Sequence, residues 1–237
     1  MSCSQRQYRK PLSFSKHSLF FSNCRTAGVL ILANVGTFIY VVRMGYLPRQ
    51  WILFPGNLLQ GNFWPLIASG FLHSDLLHLA MNMLGIYVFG RIAEEYLGPW
   101  KTLFIYFGSL IISMLSATFI YALVLHKNVA IIGASGAVMG LIATAVLLDP
   151  FRVTYEMILP LPVMVKGWMF LYADIQGFLG GERDGVSHLA HLCGFLSVGL
   201  LVYFLSSRDQ KAMRAGFIVN IISFFVFLLI YQRMMAV

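Results

Sequence analysis

Apolar residues run along this chain in long, nearly unbroken stretches. Short segments rich in Lys, Arg, Asp, Gly and Pro separate them. A helix needs about 20 predominantly apolar residues to cross a bilayer, and several stretches meet or approach that length. The pattern predicts seven spans, at about 26–43, 75–92, 101–124, 132–148, 164–179, 187–206 and 215–232. The fifth is short and follows "LPLP". The runs are too continuous for the alternating strands of a membrane barrel. No internal repeat emerges, so an inverted-repeat transporter has no support. The expected class is an all-α, polytopic membrane protein.

Composition agrees, with 59% hydrophobic and 11% charged residues, where a soluble domain carries roughly 25% charged. The formal net charge is +8. In a membrane chain such an excess marks cytoplasmic loops, and no nucleic-acid partner is expected. With the N-terminus in the cytoplasm, one side collects Arg6, Arg9, Lys10, Lys16 and Arg25 of a basic tail (1–25), Arg91 and Lys101, Arg152 and Lys166, and Arg208, Lys211 and Arg214. Only Arg43, Arg49, Lys127, Arg183 and Arg233 fall opposite. The C-terminus then faces outward, and the tail suits contact with anionic lipid. Cys3 and Cys24 lie in the tail and Cys193 in a span, too few for a disulfide framework. No cleavable signal peptide is expected.

This orientation brings polar residues from separate spans to one depth. Ser135, in "IIGASGAVMG", lies about three residues into the fourth span from outside. His78 and Asn82, in "FLHSDLLHLAMNMLG", lie near the outer start of the second, and His191, in "SHLAHLCGF", near that of the sixth. A membrane serine is usually a packing residue, and Gly136 and Gly140 form a GxxxG pair that invites close helix approach. The G-x-S-x-G elbow is not met, because position 137 is alanine. A histidine in a span, however, is costly and points to function. An imidazole beside a hydroxyl is the minimal base for a serine nucleophile. His191 and Gly194 share a face, and glycine there lets the sixth span approach the fourth. His78 and Asn82, four apart on one face, can both donate to an oxyanion. The Ser135 and Gly136 amides add a helix N-terminus. His73 precedes the second span and can orient its neighbours, while His188 reads as interfacial. The histidine spacings, H-x4-H and H-x2-H, lack HExxH or a thiolate pair, so neither a metal nor another cofactor is expected. Asn34 and Asp174 have no evident place; Asp174 and Asp184 can lie near the site, but nothing in the spacing requires them there.

Together "GASG", "HSDLLHLAMN" and "AHLCGF" resemble the motifs of the rhomboid intramembrane serine proteases, over about Trp64 to Ser206. "GRIAEEYLG" at 90–98 resembles that family's GxxxExxxG. The resemblance implies a six-helix core (26–206), a membrane-embedded first loop (44–74), and a linker with one further helix (207–237). It implies Ser135 as nucleophile and His191 as base. His78, Asn82 and Gly133 would serve the oxyanion, Glu94 would tie helix ends, and no catalytic aspartate is needed. "YLPRQWILFP" in the first loop is amphipathic enough to lie at the interface.

Three positions depart from the family pattern. Met139 stands where an aromatic often packs on the catalytic histidine. Val198, beside Gly199, stands where the sixth helix usually repeats its glycine. Trp64-Pro65 replaces a Trp-Arg pair. The implied activity is cleavage of transmembrane segments of other membrane proteins, with lateral entry beside the short fifth span. The implied site is multi-pass in a plasma (inner) membrane and opens to the extracytoplasmic side. The alternative is an inactive relative that binds membrane clients.

Overall fold

A computed structural model describes residues 25–155, 159–181 and 186–235. The basic tail, apart from Arg25, lies outside the described residues, as do Arg183 and Asp184. The architecture is a helical bundle: α1 (Arg25–Met44), α2 (Leu76–Leu97), α3 (Pro99–Val124), α4 (Ser135–Leu148), α5 (Val163–Leu179), α6 (His188–Phe204) and α7 (Ser207–Met235). Of these, α1, α2, α3 and α7 are long and apolar enough to cross a membrane, and α4 and α6 are shorter apolar helices. The chain is a polytopic, helical, integral membrane protein. A small exception to the all-α expectation is an antiparallel pair, β1 (Val153–Thr154) with β2 (Leu161–Pro162), where Pro150 sits in a turn after α4 and prolines at 160 and 162 keep the chain extended before α5.

α4 sits at the centre. Every residue from Gly136 to Val146 is buried, so this helix has no lipid-facing side. Its hydrophobicity is uniform because neighbours surround it. By contrast, most of the large apolar side chains of α7 are exposed, as a helix facing lipid requires. α7 docks mainly through its first half, with Phe224 further along meeting the Trp168 ring of α5 edge-on at 5.6 Å. Gly216 lies against the Leu147 carbonyl, where a methyl group would not fit, and Asn220 Nδ2 donates to Val146 O at 3.0 Å. That bond satisfies one of the carbonyls that a helix end leaves without a partner.

Small residues bring the helices together around α4. A side-chain carbon on Gly194 would lie 2.2 Å from the Gly136 carbonyl oxygen, so α4 and α6 touch backbone to backbone. Ser113 and Ser109 of α3 fill the remaining space over Gly136 and Gly140. Ser113 Oγ donates to Ala190 O at 2.8 Å, and Ser197 Oγ lies 2.8 Å from Ser109 Oγ and 2.6 Å from Gly194 O. The three-helix seam is thus closed by glycines and serines, as packing without a hydrophobic driving force demands. Val198 is buried beside this seam and Gly199 meets nothing within 4 Å, so Gly194 carries the close approach by itself. Asn34 also finds its place: it is fully buried, with Nδ2 donating to Leu30 O and to Tyr106 Oη of α3.

The segment between α1 and α2 is compact, with helical turns at Arg49–Trp51, Pro55–Leu59, Pro65–Ala68 and Ser69–Phe71. Tyr46, Phe63, Trp64 and Ile67 are exposed on it, and the Trp51 ring stacks on Tyr40. Its inner side grips the strand leading into α4. Ile131 N–H donates to Leu53 O at 2.9 Å, Gly133 N–H to Ser69 O at 2.9 Å, and Gly56 N–H to Asn128 Oδ1 at 3.2 Å.

Candidate active site

Ser135 is the first residue of α4, not the third residue of a longer span. The reason is Gly133, whose φ of +110° lies outside the helical region and is open chiefly to glycine. Ala134 then caps the helix without a side-chain bond. The first amides of a helix have no intrahelical partner, so the hydroxyl of Ser135 sits beside free N–H donors at the positive end of a dipole.

Gly133 is also where His78 arrives. A methyl group at Gly133 would stand 2.7 Å from both Cε1 and Nε2 of His78 and 3.8 Å from Ser135 Oγ. Imidazole and hydroxyl therefore face the same glycine. His78 is held from behind by the start of α2. Asp75 Oδ1 accepts the His78 backbone N–H at 2.8 Å, and Ser74 Oγ lies 3.2 Å from His78 Nδ1 while donating to Asp75 Oδ2 at 2.7 Å. The His78 amide and the Ser74 hydroxyl pull the exposed Asp75 carboxyl below the usual carboxylate range. This is an N-cap that doubles as a ring clamp. Asn82, one turn on, is buried and gives one amide hydrogen to His78 O at 2.9 Å.

His73 is buried with neither ring nitrogen hydrogen-bonded, and its ring meets that of His78 edge-on at 5.0 Å. Burial, then the adjacent His78, lowers its pKa to about 4. Met139, one turn beyond Ser135, is buried in the core.

His191 enters from α6. Its neighbour Ala190 carries the carbonyl that lies 3.8 Å from the methyl position on Gly136, and His191, like Ser135 and His78, lies in the first turn of its helix. Ser135, His78 and His191 thus share one end of the bundle. Among the described residues no hydrogen bond joins Ser135 Oγ to His191. A cavity of about 100 Å³, lined by Leu125, Lys127, Phe178 and Gly181, opens between the ends of α3 and α5.

Two residues behave differently from the expectation. His188 is buried rather than interfacial, and Asp174, which had no place, joins it. The Nδ1 atoms of His188 and His191 each lie 2.8 Å from Asp174 Oδ1. The signal was present: an acidic residue inside the apolar fifth span is expensive, and His188 and His191 are three apart on one helical face. What the sequence lacked was the partner's address, on a different helix. The ligand-type atoms of Asp174, His188 and His191 lie within 4.8 Å of one another, but the N···O separations are those of hydrogen bonds.

With this geometry in hand, known proteins add the lineage. Residues 60–209 match the family model described as the Rhomboid domain. The chain is 28% identical over 186 residues to RHOMBOID-like protein 12, mitochondrial, of Arabidopsis thaliana, covering 70% of this chain and 54% of that protein. It is 30% identical over 151 residues to Putative rhomboid protease YdcA of Bacillus subtilis, covering 64% of this chain and 71% of that one. It is 28% identical over 196 residues to Rhomboid protease AarA of Providencia stuartii, covering 73% and 69%. The chain spans about half the length of RHOMBOID-like protein 12, mitochondrial, and of Rhomboid-like protein 11, chloroplastic, of Arabidopsis thaliana. The chain belongs to the rhomboid family.

Proposed function

We propose that the protein is an intramembrane serine endopeptidase that cleaves other membrane proteins in or beside a transmembrane segment. Ser135 Oγ attacks the scissile carbonyl, and His191 takes the hydroxyl proton and returns it to the leaving amine. Water then releases the acyl group from Ser135 by the same proton path. His78, Asn82 and the free amides at the start of α4 receive the developing oxyanion. The observation that carries this reading is the meeting of the His78 ring and the Ser135 hydroxyl at Gly133, three residues before Gly136, where α6 presses on α4. The lack of a Ser135–His191 hydrogen bond among the described residues is compatible with it, because such bonds tighten when substrate binds.

The same reading takes seven spans with the basic loops in the cytoplasm, so that the site opens to the extracytoplasmic side. Substrate enters laterally beside α5, whose Met169, Tyr172, Ile175 and Leu179 are exposed. The test is labelling of the detergent-solubilised protein with a fluorophosphonate. Wild type should label, while Ser135→Ala should not, and His191→Ala should label at least about 10²-fold more slowly. Equal labelling of all three would remove the pair. No labelling of wild type would replace the protease with a client-binding relative.

A further inference from the structure

We propose that Asp174 is a positioning residue for His191, holding its imidazole in the tautomer that a general base requires. The inference rests on the protease reading and adds a third member to a pair that the family resemblance leaves without a carboxylate. An ionised carboxylate only accepts hydrogen bonds. His191 Nδ1, 2.8 Å from Asp174 Oδ1, must then carry a proton, and the lone pair of the neutral ring falls on Nε2. That is the nitrogen left to receive the proton of Ser135. When it does, the positive ring faces a carboxylate in surroundings where the attraction is strong.

The carboxylate is itself held. His188 Nδ1 donates to the same Oδ1 at 2.8 Å, and the His188 ring lies so close over Gly177 of α5 that a methyl group there would be 2.2 Å from Nε2. Tyr121 Oη and Ser187 Oγ, 3.0 Å apart, fix the start of α6. Among the described residues the ionisable groups in contact with His191 are Asp174 from α5 and His188 from its own helix, with ring centroids 6.0 Å apart. Only Asp174 among them carries a carboxyl group. Asp174 and His188 are both buried, while His191 is partly open toward the site.

A carboxylate that merely staples α5 to α6 predicts something different from one that orients a base. Asp174→Asn keeps the size of the side chain but offers an amide. The expected result is a fall of about 10²–10⁴-fold in the fluorophosphonate labelling rate and in kcat, with KM within about threefold and the thermal midpoint nearly unchanged. Asp174→Glu should recover part of the loss. His188→Gln, which leaves the Asp174–His191 bond, should cost no more than about tenfold. Equal losses in Asp174→Asn and His188→Gln would identify a staple and overturn the proposal, as would wild-type labelling by a folded Asp174→Asn.

A second measurement needs no variant. In protein labelled with ¹⁵N histidine, His191 should carry its neutral-state proton on Nδ1, and a proton on Nε2 would overturn the proposal. Absence of labelling in wild type would instead sink the protease reading while the tautomer measurement still stood.

Discussion

The two ends of the bundle use polar residues in opposite ways. At the end where α2 and α4 finish and α3 and α7 begin, opposite charges pair across helices. The buried Glu94 accepts the Thr26 N–H at 3.2 Å, capping α1 from another helix. Arg152 grips Glu95 at 2.6 Å, Lys101 pairs with Asp209, and Tyr96 Oη donates to Asp149 at 2.7 Å. At the other end, among the described residues, histidines gather near Ser135, Asn82 and the buried carboxyl of Asp174, and neither ring nitrogen of His73 has a hydrogen-bond partner. One end spends its polarity on joining helices. The other keeps ring nitrogens and helix-start amides available, which is what chemistry on a substrate needs.

Substitutions at each end should separate the two roles. The largest effect is expected from Gly133→Ala, which adds a strained φ and a methyl group against His78. Labelling by fluorophosphonate should fall at least about 10²-fold, the cost of an ångström of misplacement, and an unaltered rate would show that His78 is set by something else. Next, Glu94→Gln should cost about 1–3 kcal/mol of stability through a weakened charge-assisted bond. It should leave the labelling rate of the folded fraction intact, so a matching loss of rate would dissolve the contrast.

The third effect is pH-dependent. Unfolded His73 takes up a proton near its ordinary value of about 6.5, whereas the folded ring does so only near 4. The unfolded state binds more protons in that window. Stability complete above the upper value is therefore lost as the pH falls toward the lower one. Thermal midpoints followed from neutral pH down should drop less steeply in His73→Phe. The smallest effect belongs to Lys101→Ala, whose half-exposed ion pair is worth no more than about 1 kcal/mol. A larger loss of thermal midpoint would mean that α7 depends on this pair.

Hydropathy located the helices well, because every residue of a membrane helix contributes to the signal and lipid forbids most alternatives. Edges were less legible where backbone geometry decides them. α4 starts late because Gly133 takes a positive φ, and α7 starts early because its charged first turns lie outside the apolar run. Family motifs singled out Ser135, His78 and His191, yet pairings between helices carry no local mark. Asn34 finds Tyr106, and Asp174 finds two histidines, only in three dimensions. His188 misled because nearness to a helix start suggested exposure, when a packed α5 covers it.

The backbone contact between Gly136 and Gly194 has a mechanical consequence. The helices bearing Ser135 and His191 meet at a hard stop rather than through deformable side chains. A thinner or thicker bilayer can tilt α1 and α7 at the rim, but it has little purchase on a gap defined by touching main chains. Turnover in lipids of different acyl length should therefore vary with how substrate reaches the centre, and little with the centre's own alignment.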